Sequence, residues 1–166
     1  MAPTPRIEPA TREDLEAVAD CWVALAREQR DLGSHVLPEP NREAILETLA
    51  GHQVAGGLLV ARLEGELAGF ATATVERGTF ALDANRGVLS NLYVKPAFRS
   101  QGIGGALLEA AEAFLADRDV EVVTLEAMAD NEAARRFYRR HGYETYRVAM
   151  ERSLEDENDT HSKEER

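Results

Sequence analysis

The sequence predicts a mixed α/β fold, antiparallel in its first half and joined by crossover helices in its second. Three stretches lead there. LLVARLEGELAGFATATV, residues 58–75, is two β-rich runs meeting near Glu64 and Gly65, the pattern of a hairpin. VLSNLYVKP, residues 88–96, is a strong strand stopped by Pro96 and followed by a helix rich in alanine and leucine. VEVVTLEAM and then NEAARRFYRRHG repeat that strand-to-helix order, which needs crossover connections and helices on both faces of the sheet.

Each element has its own local signal. RIEP, residues 6–9, reads as a short first strand. Thr11 followed by Asp14 resembles a capping box and opens a helix to about Arg30. Along it Leu15, Val18, Trp22, Leu25 and Ala26 recur at three- and four-residue steps, an apolar stripe that faces a core. Cys21 lies beside the stripe and reads as a small core residue. GSHVLPEPN is a loop, and Asn41 caps a second helix expected to end at Gly51. After the hairpin, ERGTFALDANRG is a polar connection to the third strong strand. The glycine-led helix is expected to run to about Asp117, and the next to close at Gly142. YETYRVAMERSL reads as a last strand or bent pair of strands. These elements make one domain, residues 1–154, with 155–166 as an acidic tail too polar to bury anything.

Composition excludes several functions. A net charge of −11 argues against nucleic acid, which needs a basic face. No stretch approaches the ~20 continuous apolar residues of a membrane span, and the N-terminus lacks the apolar core of a signal peptide. One cysteine and scattered His35, His52, His141 and His161 offer no metal site. The expectation is a cytoplasmic protein without a metal. Among 19 basic residues only Lys95 and Lys163 are lysine; acid-rich, lysine-poor surfaces occur in salt-loving organisms, and also in merely acidic proteins with a charged tail.

The segment FRSQGIGGALLEAAEAFL poses the functional question. It puts Gly102, Gly104 and Gly105 where a helix must start, although glycine costs a helix interior roughly 1 kcal/mol relative to alanine. The dinucleotide fingerprint fails because Leu107 stands where its third glycine belongs. The Walker loop fails because no lysine lies between Lys95 and Lys163. What remains is Arg99-x-x-Gly102-x-Gly104 between a strand and a helix, where free amides and the helix dipole suit a diphosphate. A tight turn that simply needs small residues is the plainer reading of the same glycines.

LYVKPAFRSQGIGGALL followed by TLEAMADNEAARRFYRRHGYE resembles the GNAT superfamily of acyl-CoA-dependent N-acyltransferases, over about a third of the chain. The resemblance implies acetyl-CoA as cofactor. It implies that Leu92, Tyr93 and Val94 pair through their backbone with the pantetheine arm. The loop of Arg99, Ser100, Gln101, Gly102, Ile103 and Gly104 would wrap the diphosphate, and Asn131 would contact the cofactor arm. Tyr138 falls on the tyrosine near the thioester sulfur. Glu126, five positions before Asn131 and twelve before Tyr138, resembles the proton acceptor of the ribosomal-protein N-terminal-alanine acetyltransferase type, in which the tyrosine is the donor.

The chemistry suits those assignments. An alkyl ammonium has a pKa near 10.4, so about 1 in 2,500 is the free amine at pH 7, a cost of roughly 4–5 kcal/mol that a nearby base offsets. Glu121 and Glu126 are the two acids of the VEVVTLEAM segment, and Glu126 sits at the end where catalytic groups of open α/β sheets collect. A solvated or arginine-paired carboxylate is the plainer reading of Glu126, and packing beside Phe137 that of Tyr138. Arg135, Arg136, Arg139 and Arg140 read as a solvated basic face at a helix C-terminus, with His141 beside them.

The short stretch after Gly142 departs from the family, many of whose members wall the acceptor site with a longer hairpin there. The acceptor is therefore expected to be a small-molecule amine or a protein N-terminus, at a site that is open or completed in a homodimer. A non-catalytic domain of the same fold that senses acyl-CoA is the rival reading.

Overall fold

The computed structural model of the chain describes residues 3–155. They divide after Asn131 into two compact units. The first carries β1 (Arg6–Pro9), α1 (Leu15–Arg30), α2 (Arg42–Ala55), β2 (Leu58–Leu63), β3 (Glu66–Val75), β4 (Arg86–Val94), α3 (Ile103–Ala116) and β5 (Val122–Leu125). The second carries α4 (Glu132–Arg140).

The strands form one five-stranded sheet in the order β1-β2-β3-β4-β5. The first three pairings are antiparallel and β4 with β5 is parallel, as a crossover through α3 requires. The mixed α/β architecture read from the sequence is the one observed. The β2–β3 hairpin turns at Glu64 and Gly65 with φ of 51° and 83°, the left-handed pair whose twist matches the strands.

Facing strand positions assign the two sides. Phe70 pairs with Tyr93, and both are buried with Val18, Cys21, Leu49 and Val60 under α1 and α2. Gly69 lies on the opposite side, against Leu107 of α3. A Cβ there would stand 2.3 Å from the Tyr93 carbonyl oxygen, so only glycine lets β3, β4 and α3 come this close. Cys21 is buried, as the sequence suggested, and burial pushes its thiol up.

Helix ends follow local chemistry. Asp14 accepts the Thr11 backbone N–H at 2.8 Å ahead of α1. α2 does not stop at Gly51 as expected: its interior tolerates that glycine, and the chain turns at Gly56, φ 87°. The Gly57 N–H then donates to the His52 carbonyl at 2.9 Å. α3 ends the same way on Asp119, φ 63°, with the Val120 N–H donating to Leu115 at 3.1 Å.

The expected final strand is not present: residues 143–153 hold no regular secondary structure. Tyr146, Val148 and Met150 do alternate as a strand would, but all three are exposed and no ladder is formed to fix the extended backbone. The acidic stretch 156–166 lies outside the described residues. Among the described residues no helix is long and apolar enough to cross a membrane.

Two glycine substitutions check the packing account. Gly69→Ala is expected to lower unfolding free energy by about 2 kcal/mol or more, because backbone must shift to admit the methyl group. Gly51→Ala, with nothing within 4 Å of the added methyl, is expected to raise it by about 0.5–1 kcal/mol. Urea titration of both variants against the parent measures the two signs.

Candidate functional site

Strand β4 carries one residue too many for its partner. Asn91 faces Thr72 and Leu89 faces Ala73, so Ser90 is a bulge. The bulge reverses the side-chain alternation: Leu89 lies on the α3 side, yet Tyr93 reaches the α1 side. Asn91 braces the position by donating to the buried Thr72 hydroxyl at 2.9 Å. The parallel ladder ends at Leu89–Leu125. Beyond it, Asn91, Leu92, Tyr93 and Val94 pair with β3 on one edge, and among the described residues their other edge has no partner strand.

From that edge the chain passes a single helical turn, Pro96–Phe98, into the glycine segment. Ser100 and Gly102 both adopt left-handed backbone, φ 65° and 81°, ahead of Ile103 and α3. Such turns make successive N–H groups converge on one concavity. Here the first helical acceptor bond is Ala106 N–H to the Gly102 carbonyl at 3.1 Å, and the amides of residues 100–105 have no protein acceptor among the described residues. With the N-terminal end of a 14-residue helix behind them, these donors make a candidate anion cradle. Ile103 gives only its amide, since its side chain is buried in the core. Ser100 and Gln101 are exposed.

Arg99 opens the cradle and is already engaged. Its Nε donates to the Val94 carbonyl at 2.8 Å, and Nη2 donates to both carboxylate oxygens of Glu28 at 2.9 and 3.1 Å. Its guanidinium carbon stands 5.4 Å from the Tyr93 ring centre. Burial and the Glu28 carboxylate push the Tyr93 phenol up, against the pull of Arg99.

The two acids of the β5 region separate cleanly. Glu121 is structural: its carboxylate accepts the Asn85 N–H at 3.0 Å and its own N–H donates to the Asn85 carbonyl at 2.8 Å. Glu126 is exposed one residue past the last rung of the parallel ladder, and no ion pair or hydrogen bond holds its carboxylate among the described residues. Two residues on, the Met128 carbonyl accepts the Asn131 N–H at 2.9 Å. The Met128 methyl stands 4.0 Å from where a Cβ on Gly33 would be, so the turn after α1 borders the Glu126 segment.

In the second unit, Tyr138 is fixed by the end of its own helix. Gly142 is left-handed at φ 92°; its N–H donates to Arg139 and the Tyr143 N–H donates to the Tyr138 carbonyl, each at 3.0 Å. The Tyr138 ring meets Phe137 edge-on at 5.2 Å and Tyr143 at 5.8 Å. Burial pushes its phenol up to about 12. His141 lies 4.5 Å from the Phe137 ring, tilted against it, and its Nδ1 bonds the Phe137 carbonyl at 2.9 Å. The cradle, the β4 edge, Glu126 and Asn131 thus belong to the first unit, and Tyr138 to the second.

Sequence reasoning did not single out Glu28. It lies 71 positions before Arg99, and nothing around it in α1 distinguishes it from other helix-surface acids.

Comparisons with known proteins bear on this arrangement. The sequence pattern described as the acetyltransferase (GNAT) family matches residues 20–143. An uncharacterized N-acetyltransferase of Archaeoglobus fulgidus is 34% identical over 82 residues, covering 49% of this chain and 56% of that protein. The match thus spans little more than half the length of that curated relative. A GCN5-related N-acetyltransferase from Ralstonia eutropha superposes with a TM-score of 0.71 at 26% identity, covering 91% of this chain and 99% of the other. A protein from Clostridium acetobutylicum described as a predicted acetyltransferase, solved with acetyl-CoA, shares the fold with a TM-score of 0.72 at 15% identity, over 91% and 97% of the two chains.

A branched side chain inside the cradle tests its use. Gly104→Val is expected to weaken coenzyme A binding at least about ten-fold, with helix content by circular dichroism unchanged; calorimetric titration measures it.

Proposed function

The chain belongs to the acetyltransferase (GNAT) family, and from that premise we propose that it moves an acetyl group from acetyl-CoA to a primary amine by direct attack. The observation that carries this reading is the row of unpartnered amides at residues 100–105, set beside a strand edge that is also unpartnered. Those donors fit the charge of a diphosphate, and the open edge of Leu92, Tyr93 and Val94 fits the amides of a pantetheine arm. In this reading Ser100, Gln101, Gly102, Ile103 and Gly104 give backbone donors to the diphosphate, and Asn131 contacts the arm. Acetyl-CoA, when bound, supplies the activated acetyl thioester.

Glu126 then serves as base. It is solvent-accessible and unpaired, so it can take the proton an amine sheds as it attacks, directly or through one water. Tyr138 follows from the resemblance as the group that assists the departing sulfur. With its pKa raised to about 12, it is a weaker acid than a thiol near 8.5. Full proton transfer is therefore uphill, and its contribution is a hydrogen bond to the developing negative charge. The acceptor is a small-molecule amine or a protein N-terminus. The spacing of Glu126, Asn131 and Tyr138 favours the peptide-terminal type.

Thiol release from acetyl-CoA across a panel of amines decides the class: an enzyme releases thiol above background with at least one acceptor, whereas a sensor domain binds the cofactor and releases none. Glu126→Gln is expected to keep acetyl-CoA affinity within about two-fold and to lower kcat about 10²-fold.

Tyr138 gives a prediction with a sign. Its folded pKa lies above the ordinary value near 10, so the phenol stays protonated and donating up to about pH 11. The kcat profile should show no alkaline fall attributable to it below that pH. Tyr138→Phe should lower kcat about ten-fold or more at every pH from 7 to 10, as steady-state assays across that range would record.

A further inference from the structure

We infer that Glu28, on α1, is a positioning residue for the diphosphate cradle, acting through Arg99. The inference rests on the acetyl-CoA reading above and goes beyond it, because Glu28 lies outside the strand–loop–helix segment, residues 89–144, whose motifs carry the resemblance.

Ser100 stands in left-handed backbone without the freedom of glycine, a conformation that persists only where neighbours fix it. The residue just before it is the one that α1 and β4 hold together. Arg99 Nε is pinned to the Val94 carbonyl and Nη2 to both oxygens of Glu28, while the guanidinium lies over the Tyr93 ring. Three contacts thus fix one side chain: helix α1, the end of β4 and the aromatic beneath it. The same guanidinium acts on the Tyr93 phenol, so its orientation is set beside the amides of residues 100–105.

Glu28 and Arg99 are each close to half exposed, at 43% and 44%, so the pair adds little to global stability. Its effect is geometric: with the guanidinium tethered at two nitrogens, the loop entry is held in one conformation before the ligand arrives. The sign of the effect separates this role from simple charge. A carboxylate beside an anion site repels the anion, so if charge were its only influence, removing it would tighten binding. As a positioning group, its removal weakens binding instead.

The experiment is calorimetric titration of coenzyme A into the full chain, its Glu28→Gln, Arg99→Gln and double variants, and Glu47→Gln as a charge-matched control on α2. Glu28→Gln is expected to weaken coenzyme A binding about three- to five-fold. In turnover assays KM for acetyl-CoA should rise by a similar factor, with kcat within two-fold, and Tm should stay within about 1 °C. The double variant should bind no more weakly than Arg99→Gln, since Glu28 acts through that side chain. Unchanged or tighter binding by Glu28→Gln, a loss matched by Glu47→Gln, or additive losses in the double variant would each overturn the inference while leaving the acyltransferase reading intact. Failure of the parent protein to take up coenzyme A would overturn both.

Discussion

One extra residue in β4 governs the candidate site. The bulge at Ser90 turns the strand by half a pleat, so the side chains on either side of it belong to different layers. Without it Tyr93 would face α3, and the ring that supports Arg99 would be missing from the α1 side. With it, Tyr93 joins the core beneath α1, its ring tilted against Phe70 at 6.4 Å, and the loop leaves β4 over a rigid aromatic base. The parallel ladder ends one residue before the bulge, at Leu89. The open edge and the anchored loop therefore begin at the same point in the strand.

That arrangement leaves polar groups unsatisfied inside the fold's own bonding scheme. A helix must expose its first N–H groups, and most helices cover them with a capping side chain. α3 has no such cap: the preceding residue is Gly102, whose missing side chain leaves the amides bare. The cost is met elsewhere, by the close packing of Leu107, Leu108, Ala111 and Leu115 against the glycine-lined sheet. Packing and open donors are thus divided along one helix. The buried stripe holds it down, and its first turn is available to a ligand.

Most of the fold was legible because it is written locally. The β2–β3 alternation, the Glu64–Gly65 turn, the Pro96 stop and the glycine closing α4 each act within a few residues of their signal. The misreadings have physical reasons. Gly51 was read as a stop because glycine weakens helices, but the left-handed turn that ends α2 falls five residues later, on Gly56. The alternation of Tyr146, Val148 and Met150 matches a strand's period, yet a strand exists only as part of a ladder, and periodicity cannot supply a partner. The bulge and the Glu28–Arg99 pair were invisible for a related reason. Both depend on register or contact between segments far apart in the chain, which no local pattern encodes.

The two carboxylates near β5 show how structure refines such a reading. Both are exposed glutamates flanking the same four-residue strand. Glu121 is consumed in closing the β4–β5 entry with Asn85, so its oxygen is part of the scaffold. Glu126 stands at the exit of the strand, where the parallel ladder has ended and, among the described residues, no donor claims it. A proton acceptor has to be free to change partners during a reaction, and a scaffold carboxylate is not. Sequence position favoured Glu126 because catalytic groups gather at strand ends; bonding favours it because it alone of the pair has nothing else to do.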